Sequence, residues 1–227
     1  MALYAIGDLH GSLTALKTLF HYQGFGAQDT LVFLGDYSDK GADTRGVIEF
    51  LLEQKQVLDL VFLKGNHDLM MAVARDHPER FEEWVFHGGQ ATLNSYGISK
   101  QTDWAKHIPE NHWNFLETGL PYWEKDNFIF VHAGVQPDTP LAEQPSHILL
   151  WEKNFNPEPY APNKTVICGH TARKNGQIAN YGHTICIDTF AHGGQWLTCL
   201  EVTNGSYLQT SETSDFRWGS LNAVAEG

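Results

Sequence analysis

Short apolar runs recur along the chain, and five of them stop in the same way. Leu31-Val32-Phe33-Leu34 reads as a buried strand and runs into Gly35-Asp36-Tyr37-Ser38-Asp39-Lys40-Gly41. Leu3-Tyr4-Ala5-Ile6 runs into Gly7-Asp8-Leu9-His10-Gly11, and Leu60-Val61-Phe62-Leu63 into Lys64-Gly65-Asn66-His67-Asp68. Later, Phe128-Ile129-Phe130-Val131 meets His132-Ala133-Gly134, and Thr165-Val166-Ile167-Cys168 meets Gly169-His170-Thr171. Each run ends in an Asp, Asn or His beside a glycine, where the backbone can turn sharply and approach closely. Ligands of α/β sheets bind outside the carboxyl ends of the strands. The pattern therefore predicts that Asp8, His10, Asp36, Asn66, His132 and His170 gather at one edge.

Between the first three runs the apolar spacing becomes helical. Leu13, Leu16, Leu19 and Phe20 share a face, with Ser12 as the expected cap and Gly24-Phe25-Gly26 as the stop. Residues 43–54 predict a second helix with Val47, Ile48, Leu51 and Leu52 inward. Strand, helix, strand, helix, strand implies a parallel sheet. Residues 68–86 predict a helix broken near Pro78, and 92–120 a helical stretch anchored by Trp104, Trp113 and Phe115. Strand-like runs then dominate, at 127–131, 165–168, 184–188, 195–202 and 206–210. Gly193-Gly194 and Asn204-Gly205 look like hairpin turns, so a more antiparallel second half is expected. Loops at 137–145 and 154–163, rich in proline and asparagine, are expected over the face that carries the motifs. The chain reads as one α/β domain over 1–213 with a polar tail over 214–227.

Composition adds little, but it excludes some classes. The 227 residues suffice for one domain with a large core. A formal charge of −12 argues against binding a nucleic-acid backbone by general electrostatics. Carboxylates awaiting divalent cations would account for part of that excess. Cys168, Cys186 and Cys199 are scattered, odd in number and without CxxC spacing, so they are read as buried, reduced and structural. No signal-like apolar segment precedes the first motif, and no run approaches the ~18 residues that span a bilayer. No membrane partner is expected, and a cytoplasmic location is.

The motif residues have the inventory of a dinuclear metal site. Two cations ~3.5–4 Å apart can clamp both the attacking and the leaving oxygens of a phosphate ester. Holding them needs a bridging carboxylate, terminal His and Asp ligands and some neutral ligands. Asp8 and His10, two residues apart at a strand end, can point at one metal. Asn66, His132 and His170 can take the other, with Asp36 as the bridge. Nitrogen and oxygen donors without thiolate favour manganese, iron or zinc over copper, and argue against a calcium cage.

Together GDLHG, GDYSDKG, GNHD, VHAG and GHT resemble the calcineurin-like metallophosphoesterases, and within them the phosphoprotein phosphatase family. The resemblance runs from Leu3 to about Val202 and takes in Gly88-Gly89-Gln90-Ala91-Thr92 and Leu149-Leu150-Trp151. It implies a β-sandwich of two mixed sheets flanked by helices, with a dinuclear centre at the sheet edges. It implies two divalent ions, manganese first with iron or zinc as alternatives, and attack by a metal-bound hydroxide. The same six residues would be the ligands. His67 would be the general acid, oriented by Asp39.

The chain departs from that family at three places. Lys40 stands where the second motif usually has arginine, Lys153 replaces the arginine of a later Trp-x-Arg element, and Asp68 replaces a common glutamate. Lysine keeps the charge but loses the planar two-pronged grip on phosphoryl oxygens. Lys40 and Lys153 are read as substrate contacts, against solvated loop charges. Arg173 is a candidate replacement for a missing arginine, and His87 and His192 are candidates to line the cleft. The leading expectation is hydrolysis of phosphomonoesters, including phosphoserine and phosphothreonine on proteins. Its alternative is symmetrical hydrolysis of dinucleoside polyphosphates, and a third reading is a non-catalytic phosphate-binding protein.

Overall fold

The computed structural model describes residues 1–99 and 102–221, and it builds two mixed sheets with helices outside them. The first six elements alternate: β1 (Leu3–Ile6), α1 (Leu13–Gln23), β2 (Thr30–Phe33), α2 (Thr44–Gln54), β3 (Asp59–Phe62) and α3 (Asn66–Asp76). Strands β1, β2 and β3 are parallel neighbours, so their carboxyl ends share one edge. Pro78 ends the α3 region as expected, through a short 3-10 turn at Pro78–Arg80 that leads into α4 (Phe81–Trp84). After α4 come α5 (Gln90–Ser95) and α6 (Glu110–Glu117), with a 3-10 turn at Trp104–His107 between them. The predicted helical stretch is thus two short helices, and residues 100 and 101 within it lie outside the described residues. Trp104, Trp113 and Phe115 are buried anchors.

The second half supplies β4 (Tyr122–Lys125), β5 (Phe128–Val131), α7 (Ser146–Trp151), β6 (Thr165–Cys168), β7 (Ala179–Asn180) and β8 (Thr184–Cys186). Strands β5, β6 and β8 run parallel at the centre of the second sheet, with antiparallel β4 and β7 at its margins. β9 (Leu197–Glu201), β10 (Ser206–Thr210) and β11 (Phe216–Ser220) cross back to the first sheet, where β9 pairs antiparallel with β1. Asn204-Gly205 does close the β9–β10 hairpin, with Gly205 at φ 77°. Gly193-Gly194 does not make a hairpin. It ends a 3-10 turn at Ala191–Gly193 on the connection between β8 and β9, which belong to different sheets. The expected tail is also shorter than the sequence suggests, since Phe216–Ser220 pairs along β10. Positions 222–227 lie outside the described residues.

Period-2 alternation explains why the strands are apolar almost throughout: both faces of each central strand are covered. Leu31 and Phe33 pack under the helices with Leu16, Leu19, Val47, Ile48 and Leu51. Their neighbours Val32 and Leu34 point the other way and meet Phe130, Ile167, Ile185 and Ile187 between the sheets. Ile129, Val131, Val166, Cys168 and Cys186 face outward again, against Leu149 and Leu150 of α7. The three cysteines are buried and free. At α1 the expected serine cap is absent: Ser12 occupies the position, but its hydroxyl makes no capping bond, while Gly24 closes the helix at φ 62°. Asp43 does cap α2, accepting from the Gly46 N–H at 2.8 Å. Among the described residues no helix is long and apolar enough to cross a membrane.

Candidate functional site

Each predicted residue stands just past a strand end: Asp8 and His10 after β1, Asp36 after β2, Asn66 and His67 after β3, His132 after β5, and His170 after β6. The second and third motifs meet because they carry glycine. A Cβ on Gly65 would collide with the Asp36 carboxylate and backbone. Asp68 braces the same junction by accepting from the N–H groups of Gly65, Asp36 and Tyr37 at 2.9, 2.9 and 3.0 Å. Across the sheets, the His170 N–H donates to Asp8 Oδ2 at 3.1 Å.

Two histidines flank the Asp36 carboxylate, one on each oxygen. His10 Nε2 lies 3.2 Å from Oδ2 and His132 Nε2 lies 3.5 Å from Oδ1. The other nitrogen of each ring is engaged by a backbone carbonyl, which can only accept. His10 Nδ1 donates to Ser38 O at 2.8 Å, and His132 Nδ1 donates to Leu34 O at 2.8 Å. In a neutral ring this leaves a lone pair on Nε2. Burial pushes His132 below the usual histidine range, so that ring is neutral. Asn66 Oδ1 completes the second cluster, 2.9 Å from both His132 Nε2 and His170 Nδ1.

A histidine nitrogen beside each oxygen of one buried carboxylate makes a donor set that a cation lying among them would satisfy. Asp36 is buried, which raises its pKa, but charge on His132, His67 and His10 when those rings are protonated outweighs that and holds it well below the carboxylate range. Burial, followed by the neighbouring charges of Asp188 and Asp36, pushes Asp8 well up. The donors fit a pair of divalent cations. Two groups of ligand atoms lie within 4.8 Å of one another, His10–Asp36–His67 and Asp36–His132–His170; Asp36 belongs to both and Asp8 to neither. Ring nitrogens fixed by carbonyls on their far side are also how metal-binding histidines are oriented.

His67 and Asp39 form the second feature. His67 Nδ1 lies 2.9 Å from Asp39 Oδ2, and the carboxylate also accepts from Trp84 Nε1 at 3.0 Å and from the Thr92 hydroxyl at 2.8 Å. Burial pushes Asp39 up to about 7, against the Thr92 and Trp84 donors that favour its ionised form. Burial also pushes His67 down to about 4, with Asp36 opposing and the Lys40 charge adding to the effect. The resting imidazole is therefore neutral and fixed in direction.

The two lysines are placed differently. Lys40 Nζ reaches to 3.0 Å from His10 Nε2, at the open side of the first cluster. Lys153 Nζ makes one bond, 3.3 Å to the His170 carbonyl. His192 lines the same region, its ring 4.6 Å from that of His10. His87 is exposed and reaches the cluster only through its effect on the His67 charge. Arg173 is committed elsewhere, donating to the Asn154 carbonyl at 2.9 Å and to the Tyr181 hydroxyl at 2.6 Å.

Sequence reasoning missed Asp188, Trp84 and Thr92. Asp188 is buried past the end of β8, and its carboxyl accepts from the Phe190 N–H at 3.1 Å. It repeats the signal of the other five only in part: Thr184-Ile185-Cys186-Ile187 is one more apolar run ending in a carboxylate, but no glycine stands beside it. Trp84 and Thr92 carry no local signal, because only the fold brings them to Asp39.

Comparison with known proteins agrees with this geometry. The family model for calcineurin-like phosphoesterases matches residues 1–196. The symmetrical bis(5'-nucleosyl)-tetraphosphatase of Thioalkalivibrio sulfidiphilus is 30% identical over 169 residues, which is 70% of this chain and 59% of that protein. The chain thus spans little more than half the length of that relative. A crystal structure of a candidate diadenosine tetraphosphatase superposes with a TM-score of 0.64 at 19% identity, covering 96% of this chain and 92% of the other. A cold-active protein-tyrosine phosphatase from a psychrophilic Shewanella also superposes at 0.64, at 14% identity over 95% and 79% of the two chains. The last two share the fold and differ in the activity they are named for, so the fold alone does not choose a substrate. With the family model matched over most of its length and the motif residues gathered at one edge, the chain belongs to the calcineurin-like phosphoesterases.

Proposed function

We propose that the chain hydrolyses phosphoanhydrides of the dinucleoside polyphosphate type, at a centre holding two divalent cations. The observation that supports hydrolysis is the Asp36 carboxylate with a histidine ring nitrogen beside each oxygen. Asp8, His10, Asn66, His132 and His170 complete the set that would hold the cations with Asp36. When bound, the cations neutralise phosphoryl charge and lower the pKa of a water. His67, held by Asp39, orients toward the leaving oxygen and delivers a proton there. Because the ring is neutral at rest, it takes this proton up from solvent when the anionic substrate binds and raises its pKa. Lys40 adds a point charge for a non-bridging oxygen.

The substrate class shifts from the leading expectation of phosphomonoesters to its alternative. The curated relative described above is named as a symmetrical tetraphosphatase, and Lys40 and Asp68 both depart from the usual protein-phosphatase motifs. An anhydride oxygen is a better leaving group than a serine alkoxide, so it demands less of a loosely held lysine. The test is turnover of diadenosine tetraphosphate, a phosphoserine peptide and an aryl phosphate at one manganese concentration. The reading requires the highest kcat/KM on the first, with ADP as the sole nucleotide product. Preference for the phosphopeptide restores the protein phosphatase reading, and turnover of none supports the binding protein.

A further inference from the structure

Beside the candidate centre lies a crevice of about 140 Å³ that the hydrolytic chemistry does not use. Its walls are Leu69, Met70 and Val73 of α3, Trp84 of α4 and Trp151 at the end of α7, with Arg80 and Glu83 at the rim. Leu69 and Val73 are four residues apart and so share a helix face. All three α3 residues are only partly buried, although apolar. Trp151 is 44% exposed, unusual for so large an apolar ring beside a polar centre. Its ring lies 6.5 Å from that of His170 at 80°.

The crevice is contiguous with the centre through two elements. The first turn of α3 carries Asn66 and His67, and at 1.5 Å per residue Met70 and Val73 follow about 5 and 9 Å further along the axis. On the other side Trp151 precedes Lys153, whose ammonium bonds the His170 carbonyl. A group occupying the crevice is thus joined to a phosphate at the centre by a short polar spacer, which is the spacing of base, sugar and phosphate in a nucleotide. An apolar floor, one exposed indole wall and a polar rim suit a flat heteroaromatic ring with hydrogen-bonding edges. The rim ion pair, Arg80 to Glu83 at 2.7 Å, offers both donors and an acceptor.

We propose that this crevice is the nucleobase subsite: a purine stacks on Trp151 over Leu69, Met70 and Val73, and Arg80 and Glu83 meet its edge. The proposal rests on the dinucleotide reading and adds to it the place where one nucleoside is held.

The experiment compares the parent with Trp151→Ala, Val73→Phe and Trp151→Phe. The first removes the exposed ring, the second fills the crevice, and the third keeps an aromatic face. Calorimetric titration of the manganese-loaded proteins with ADP and with pyrophosphate gives the preference for a base-bearing ligand. The ratio of kcat/KM on diadenosine tetraphosphate to that on inorganic tetrapolyphosphate gives the same preference in turnover. Trp151→Ala and Val73→Phe are expected to lower both by roughly 10-fold, the scale of one base–aromatic stack, with Trp151→Phe restoring most of it. Equal affinity of the parent for ADP and pyrophosphate, or a preference that survives both substitutions, overturns the subsite. A parent that prefers ADP through Trp151 but does not cleave the dinucleotide keeps the subsite and sinks the proposed reaction. A parent that cleaves it with a ratio insensitive to both substitutions does the reverse.

Discussion

Asp39 and Lys40 are adjacent in the chain and opposite in how they are held. Asp39 is fully buried and bonded by His67, Trp84 and Thr92. Lys40 is exposed, and its ammonium has a single close partner, His10. The same contrast separates Asp36, enclosed by histidines, from Lys153, exposed with one 3.3 Å bond. Groups that would fix cations and direct a proton are immobilised, whereas groups that would grip substrate oxygens are left on flexible stems. Buried, multiply bonded groups should therefore govern kcat, and the lysines should govern KM.

The largest break in that division is Asp36→Asn. It keeps the shape and removes the charge faced by both histidines, so activity should fall by more than ~10³-fold, with both cations weakened together. Metal analysis of the purified variant decides this, since two retained equivalents would contradict a shared carboxylate. His67→Ala comes next. Metal content should persist while kcat drops ~10²–10⁴-fold on substrates with poor leaving groups, and less on an activated aryl phosphate. Equal losses on both would make His67 a phosphate contact instead.

Trp84→Phe sharpens the comparison, because it deletes one N–H donor to Asp39 and keeps most of the ring. A hydrogen bond to a charged group is worth ~1.5–3 kcal/mol, so a kcat loss of about 10-fold is expected with KM on tetrapolyphosphate nearly constant. A change confined to KM would mean that the indole matters only as a wall. Lys40→Ala should do the opposite, raising KM for tetrapolyphosphate by about 10-fold at fixed ionic strength and leaving kcat within a few-fold. Lys153→Ala should have the smallest effect, about twofold or less, as befits an exposed charge. If Lys153→Ala proves the more damaging of the two, Lys153 rather than Lys40 holds the phosphoryl oxygens.

Much of this was legible in the residues because strand ends announce themselves. An apolar run that stops at Asp, Asn or His beside glycine specifies both a β-strand and the position of a polar group at its carboxyl end. Six site residues follow from that rule, whereas Asp188 ends an apolar run with no glycine beside it and so escapes it. What was not legible depends on partners distant in sequence. Gly193-Gly194 signals a reversal, but cannot say that the strands on either side join different sheets. Strand β11 has its aromatic side chains largely exposed, with Phe216 and Trp218 at 43% and 54%, so no apolar period marks it. It forms because β10 offers a free edge. Trp84 and Thr92 look like ordinary helix residues until packing of α4 and α5 brings them to Asp39.

The backbone at the site runs against its own preference. His10, Asp36, Asp39, Lys40 and His170 all have positive φ, at 41°, 53°, 72°, 64° and 60°. Such conformations disfavour residues that carry a Cβ by roughly 1–2 kcal/mol each, less for Asp and His than for Lys. Glycine at any of these positions would relax the chain and abolish a function. Screening variants of this protein for thermal stability alone would therefore select against its own centre, and Lys40 would be the first to go.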